Sequence, residues 1–486
     1  MSQSNNQNFE QTHPLYEYYS RAYKRNADLY DGGEAIEKVG KGGANPYLYR
    51  HRFEKDEEYK IRCQRASYKN YAAPTVDLFA ASIMDGAKRE GIDAISELEP
   101  LLTDCNREGK TPAIFFSHIC TRAAAEGARF VVVDMTPTDE AATTLADAKN
   151  RGLRPYFVDV PATNVIAWDF EPDGSLKYVV IRDQRQESSG PFTEFEDVKI
   201  LTVWTREGWR RLEARDGASF EVVASGVHHL GIVPIVPVLY EETTPMTGKA
   251  VIDDVASLIL RIFNNSSEQD KVLFDTAFPL LAAFGLTEEE GEKLIRSTTL
   301  LWRFSDYQAR LEYVEASGLS YDARRQQIQD DIEALREISL RQTRKQTAQA
   351  ETYESKRIDT VQIKSQLAQF AVNAAACERQ CWELAARWLN LGDTALDSVV
   401  IAYNEEFDPD AMKNELHKQY MELRSLPTPG ISLESIYENL GLDAQEEKAK
   451  LENEQRSGTG GTGPTHLGQS ITDILTRGQG NRNEVR

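Results

Sequence analysis

The chain has 486 residues, 56 of them Lys or Arg and 77 Asp or Glu, for a formal net charge of −21. With 41% hydrophobic and 27% charged residues, its composition is that of a soluble globular protein rather than a disordered or membrane-embedded one, and its length suits about three domains. No apolar run approaches the ~18 residues of a membrane span, MSQSNNQNFEQTH lacks the basic and apolar regions of a signal peptide, and an excess of acid argues against gripping nucleic acid by bulk charge.

From Leu15 the pattern becomes helical, with Leu15, Tyr18, Tyr19, Ala22 and Tyr23 on one side, before Gly32-Gly33 and Gly40-Lys41-Gly42-Gly43 mark a loop. One helix is expected from Asp56 to about Ala81 and another over Thr111–Gly127, where Ala113, Phe116, Ile119 and Cys120 recur at three- to four-residue spacing. The texture then turns β-branched. Ala128–Met135, Tyr156–Val160, Val165–Trp168, Lys177–Arg182, Val198–Thr205 and Phe220–Ala224 read as strands separated by Gly- and Asp-rich turns. Residues 128–240 are therefore expected to form mainly antiparallel sheet, closing with the Pro-interrupted run Ile232–Val238, which suits an edge or crossing strand.

Beyond Lys249 helices return. Val251, Val255, Leu258 and Ile262 share a face, and Ile328, Ile332 and Leu335 form a stripe on a second helix. Between them lie Phe278–Gly285, a short acidic helix candidate at Thr287–Arg296, and strand-like Leu300–Phe304 and Ala309–Val314. The two helices can thus run antiparallel with a small α/β insertion at their far end. Their charges, Asp253, Asp254, Arg261, Glu268, Arg324, Arg325, Asp330, Glu333 and Arg336, are expected on exposed faces suited to packing against other copies. A polar interval follows. Then Ile363, Leu367, Phe370, Ala374, Cys377, Cys381, Leu384 and Trp388 step by 4 and 3, marking a helix about 39 Å long with Gly392 as its expected C-cap. A strand at Ser398–Tyr403, helices at Asp410–Leu423 and Leu433–Leu440, and a Gly-rich, disordered tail from Ser457 complete the chain.

The motifs that could carry catalytic chemistry are each incomplete. Gly33…Gly40-Lys41-Gly42 looks superficially like a phosphate-binding loop, but Gly42 stands where a magnesium-holding Ser or Thr is required. His228-His229 is the one adjacent His pair, and neighbours on a strand point to opposite faces. Cys377 and Cys381 share a helical face, where packing is favoured over metal or redox chemistry; the five cysteines make no disulfide framework and point to a reducing, cytosolic setting. Asp253-Asp254, Asp330-Asp331 and Glu288-Glu289-Glu290 are acidic runs of the kind a metal-dependent nuclease uses, but each is more simply a solvated face. No catalytic residue, metal ligand or cofactor is assigned, and the expectation is a protein that is not an enzyme.

The informative feature is the order of segments. The Tyr-rich N-terminal helices are followed by RASYKNYAAPTVDLFAASIMDG (Arg65–Gly86), and the sheet region ends in GIVPIVPVLY (Gly231–Tyr240). Then come VIDDVASLILRIFNNSSEQDKVLFDTAFPLLAAFG (Val251–Gly285), RQTRKQTAQAETYESKRIDTVQIKSQLAQFAVNAAACERQCWELAARWLNLG (Arg341–Gly392) and FDPDAMKNELHKQYMELRSLPTPGISLESIYENLGL (Phe407–Leu442). In that order and spacing, over most of residues 15–455, the chain resembles the portal, or head–tail connector, proteins of tailed bacteriophages.

The resemblance implies a mixed α+β, helix-rich subunit. Residues 1–248 would be its wing, 249–275 and 320–340 two stem helices, and 276–317 an α/β clip. Residues 341–355 would form a tunnel loop, 356–404 the long wing helix with its following strand, 405–456 a short crown, and 457–486 a tail. It implies a ring of about twelve copies at one capsid vertex, acting as the channel for genome packaging and ejection. Its partners would be the terminase large subunit, head–tail adaptor or neck proteins, the major capsid and scaffolding proteins, and double-stranded DNA in transient, non-specific contact, with no membrane. It would be found in the virion, and in the host cytoplasm during assembly. The candidate DNA-facing residues are Arg341, Gln342, Thr343, Arg344, Lys345 and Gln346, three cations within five residues and nothing apolar among them; the alternative is a solvated helix–helix connection. Such a segment would touch phosphates without reading bases. Residues 405–454 hold thirteen acidic against five basic residues, so acid repels rather than holds DNA. Two other readings stay open: a virion assembly protein without a channel, and a metal-dependent nucleic-acid enzyme.

Overall fold

The computed structural model describes residues 11–40, 43–136, 152–188, 190–215, 218–277, 280–284, 310–314, 319–340, 353–392 and 394–405. They belong to a compact unit spanning Met1–Phe407; the remaining unit, Asp408–Arg486, lies outside them, as do the helices, crown and tail expected there and the candidates at Thr287–Arg296 and Leu300–Phe304.

The N-terminal part is helical: α1 (Pro14–Asp31), α2 (Glu34–Glu37), α3 (Asp56–Arg65), α4 (Ala72–Met84), the short strand β1 (Lys88–Glu90), α5 (Glu99–Thr103) and α6 (Pro112–Glu126). The single helix expected over 56–81 is two, α3 and α4. Pro74 falls in the first turn of α4, where its missing N–H costs least, and Asn70 Oδ1 accepts from the amides of Ala72 and Ala73, 3.1 and 2.9 Å away. A new helix therefore starts where the old one would have continued. Helix α6 ends as expected at Gly127, whose φ of 106° only glycine adopts without strain; a Cβ there would also press on the backbone of Gly248–Ala250.

Strands β2 (Ala128–Met135), β3 (Pro155–Pro161) and β9 (Ile235–Leu239) form an antiparallel sheet in the order β3-β2-β9. The Pro-interrupted run does lie at an edge, where Pro237 has no ladder bond to lose on the open side. Strand β2 is almost continuously apolar because both its faces are covered. Val131 and Val133 join the helical core, while Phe130 and Val132 face a second core. That second core is shared with an antiparallel meander of β4 (Val165–Phe170), β5 (Leu176–Glu187), β6 (Glu196–Thr205), β7 (Gly208–Arg215) and β8 (Glu221–Val227), which contributes Trp168, Val179, Ile181 and Trp204. Strand β7 is not legible as an alternating pattern: in GWRRLEAR only Leu212 and Ala214 are buried.

After the hairpin β10 (Glu241–Thr244) and β11 (Thr247–Lys249) come α7 (Asp253–Ala277), the strand pair β12 (Leu280–Phe284) and β13 (Arg310–Val314), α8 (Leu319–Leu340), α9 (Tyr353–Trp388) and β14 (Val400–Ala402). Strand β14 pairs antiparallel with β1, returning the chain to its N-terminal part. Helix α9 does not stop at Gly392. Asn390, at φ 52°, takes the left-handed position, and the Leu391 amide reaches back to the Ala386 carbonyl at 3.0 Å. Asparagine is the usual substitute for glycine in such a cap.

Candidate functional site

Residues Arg341, Gln342, Thr343, Arg344, Lys345 and Gln346 lie outside the described residues, in the interval 341–352 between α8 and α9. Tyr353–Ser355, assigned from sequence to the same loop, are helical. What the structure gives is the scaffold from which that interval springs.

Helices α7 and α8 form an antiparallel pair with a definite register. Asp331, buried on α8, accepts from Arg261 Nε at 2.9 Å and from its Nη2. Seven residues further along α7, Glu268 pairs with Arg324, seven residues back along α8. The seven-residue step is two turns of helix, which keeps both pairs on one face. Beyond the helix ends the pairing continues in the same sense into β12 and β13, from Leu280 opposite Val314 to Phe284 opposite Arg310. The whole is one two-ply arm.

Several charges expected on exposed faces are thus spent inside the chain. Asp331, Glu268, Arg261 and Arg324 cross-link the arm, and Glu268 also meets His51 Nε2 at 3.0 Å. Asp253 accepts from Arg25 Nη2 at 2.9 Å, Asn26 Nδ2 at 2.8 Å and the Ala250 amide at 2.8 Å, fixing the start of α7 to α1. Asp254, Arg325, Asp330, Glu333 and Arg336 do face solvent. The apolar stripes meet beneath: Ile259, Ile262 and Phe263 of α7 share a core with Ile328 and Leu335 of α8.

The foot of the arm is tied down by a buried ion pair that the sequence pattern did not reveal. Arg62 on α3 donates through Nε and Nη2 to the two oxygens of Glu54, both at 2.8 Å, and to the Tyr49 carbonyl at 2.6 Å. Those bonds from Arg62 hold the Glu54 carboxyl below its ordinary range, against burial. The Tyr49 amide in turn donates to Asn264 Oδ1 of α7 at 2.8 Å.

Helix α9 is anchored more deeply. Phe370, Ala374, Cys381 and Leu384 are buried in the main core, which settles the stripe from Leu367 to Trp388 as packing within the chain; Phe370 meets Tyr240 and Trp382 meets Phe157, each edge to face. One carboxylate interrupts this apolar face. Glu378, fully buried, accepts from Arg89 Nε and Nη2 at 2.6 and 2.8 Å, from Tyr403 Oη at 2.5 Å and from Trp382 Nε1 at 3.2 Å. Burial opposes the Arg89 charge, yet the Glu378 carboxylate outweighs it and raises the guanidinium pKa. Glu378 sits beside Cys377, Cys381 and Trp382 in sequence, and an acid at a position facing the stripe is the signal that flags it.

The remaining motifs dissolve into structure. Cys377 donates its thiol to the Pro237 carbonyl at 3.2 Å, and burial pushes it up to about 12; all five cysteines are free thiols. His228 is buried with Nε2 3.1 Å from the Thr205 carbonyl, its pKa lowered by burial, while His229 is exposed. Gly33 precedes the one-turn α2, and Lys41, Gly42 and Glu288–Glu290 lie outside the described residues. Among the described residues no three His, Cys, Asp or Glu side chains converge on a point that could hold a metal, and no helix is long and apolar enough to cross a membrane.

Residues 252–389, covering α7, the arm's strands, α8 and α9, match a family model described as a domain of unknown function, DUF4055. No curated protein matches the chain. Among solved structures it is similar to a chain from the neck of a native GTA particle computed with C12 symmetry, at 12% identity and a TM-score of 0.37, over 76% of this chain and 89% of that one. A chain from the neck of an empty GTA particle computed with C6 symmetry gives 11% identity and a TM-score of 0.37 over 80% and 94%.

Proposed function

We propose that the protein is a phage head–tail connector subunit of the portal type. It would form a ring of about twelve copies at one capsid vertex, serve as the conduit for DNA entering and leaving the head, and act as a docking platform for terminase and adaptor proteins. The observation that carries this is the two-ply arm. Helices α7 and α8, locked in register by Arg261–Asp331 and Glu268–Arg324 and continued by β12–β13, have the build of a stem and clip. The same α8 delivers the chain directly to Arg341, Arg344 and Lys345. In this reading the arm projects from the body formed by the sheets and the α9 core, and the interval 341–352 faces the channel. The net charge of −21 fits a wall along which DNA slides, since acid outnumbers base and repels phosphate.

Sedimentation of the purified chain tests the reading. A species near twelve times the 54.8 kDa chain mass is expected; a monomer or small dimer at all concentrations contradicts it.

A further inference from the structure

The five-stranded sheet carries an exposed aromatic knob at one end and an open apolar groove at the other. The knob is the β5–β6 turn. Ser188 Oγ and Thr193 Oγ1 lie 2.6 Å apart, Thr193 Oγ1 donates to the Gly190 carbonyl at 2.7 Å, and the Gly190 amide donates to Thr193 Oγ1 at 3.0 Å. This knot holds Phe192 fully exposed at φ 72°, a left-handed backbone that a bulky residue rarely adopts. Phe195 beside it is 69% exposed. A strained, outward-held aromatic in a knotted turn is a feature to be explained by what it meets.

The groove has a volume of about 700 Å³, and its lining includes Val203, Trp209, Arg210, Leu212, Val222 and Val227. It lies beside β8, the edge strand, where Val222 and Val227 are 58% and 80% exposed. Its floor is formed by Val203 and Leu212, on the sheet face that also carries Arg210, Val222 and Val227; Trp209 and Gly226 pair on the opposite face, where Trp209 packs on the second core. Such a groove is large enough for one or two phenyl rings.

Knob and groove cannot meet within one chain. The knob follows the Glu187–Glu196 pair, whereas the groove runs from Leu212 and Val222, opposite Leu201, to the Thr205–Tyr178 end; its near edge is five residues of strand from the knob, about 17 Å, and lies on strands two and three places across the sheet from β5. The knob's acid has one counterpart of opposite sign on the groove, Arg210, which shares the lining with Glu207. Glu194, between the two phenylalanines, and Arg210, on the groove, are both exposed and form no ion pair among the described residues. We infer that Phe192 and Phe195 of one copy insert into the Val203–Leu212–Val227 groove of the next, with Glu194 meeting Arg210, as a head-to-tail contact between copies of this chain. Different patches on the two partners make it heterologous, the kind of contact that closes into a ring when its rotation closes. This rests on the ring reading above and names one of its contacts.

The test uses the full chain and mass photometry over a concentration series. Phe192→Asn with Phe195→Ser removes the knob, Asn tolerating the same backbone; Val227→Glu blocks the groove. Each is expected to raise the half-assembly concentration at least tenfold with unchanged circular dichroism and melting temperature. A mixture of the two variants should give heterodimers and no larger species. Glu194→Arg and Arg210→Glu should each weaken assembly, and the double exchange should restore it to within threefold. Rings that form as readily in the knob and groove variants as in the unaltered chain overturn this contact while leaving the ring standing. An unaltered chain that never assembles overturns both.

Discussion

Replacing Asp331 by Ala tests whether the two helices of the arm are held in register by charge as well as by packing. The Asp331 side chain is 4% exposed. It accepts from both Arg261 nitrogens and from Gln327 Nε2 at 2.9 Å, with Asn265 Nδ2 at 3.4 Å. Charge-assisted hydrogen bonds contribute about 1.5–3 kcal/mol net. Arg261, however, is 55% exposed and regains water once its partner is gone, so the loss stays well short of the 3–5 kcal/mol of a fully buried pair. A local cost of about 2 kcal/mol is expected, and 1.4 kcal/mol is tenfold, so hydrogen exchange of α8 amides should quicken about 30-fold. In a chain of this size a single global unfolding energy is not well defined, which makes local exchange the right assay. The double variant Arg261→Ala/Asp331→Ala should lose less than the two single losses added together. Exchange in α8 that changes less than about threefold would refute the locking argument.

Glu378→Ala should be costlier, about 3–5 kcal/mol, because it strands the buried Arg89 charge and the Tyr403 hydroxyl; it is read as a fall in melting temperature with faster exchange in both α9 and β14. The Asp159 carboxyl, with burial outweighed by His118 and Arg129, is held down to about 2. A depressed carboxylate gives stability that is present above its unfolded pKa near 4 and lost as pH falls toward 2. Asp159→Asn should therefore flatten the acid limb of the melting-temperature profile by about 2 kcal/mol, with little change in its shape above pH 5. Asn390→Gly should leave stability unchanged, while Asn390→Val should lose about 1–2 kcal/mol by forcing a β-branched residue to a positive φ, measured by thermal melts. An Arg341/Arg344/Lys345 triple-Ala variant should still form rings but package or retain DNA poorly in a packaging assay; packaging at the unaltered level would contradict the role given to those side chains.

What was legible in the sequence follows from how local its causes are. The stripe from Leu367 to Trp388 and the apolar face of α7 announce themselves because a single period governs ten residues or more. The run at Ala128–Met135 does so because a strand covered on both faces leaves no polar gaps. Strand β7 did not, since its apolar residues fall on both faces, Trp209 against the second core and Leu212 in a small separate cluster, with Arg210 and Arg211 between them. The break between α3 and α4 turned on one proline and one asparagine side chain. The ion pairs were invisible because their partners are far apart in sequence: Arg261 with Asp331, Arg89 with Glu378, Arg25 with Asp253. Read as a helix surface, those residues look like solubilising charge; only the fold shows them paired with one another. The candidate site itself, Arg341 to Gln346, was reached through the order of segments, and the structure adds the two helices that flank it.

Electron microscopy of the purified full-length chain tests the central claim most directly. Class averages showing rings of about twelve subunits pierced by an axial hole wide enough for a DNA duplex are predicted. Monomers, compact dimers, or assemblies without a central opening would contradict it.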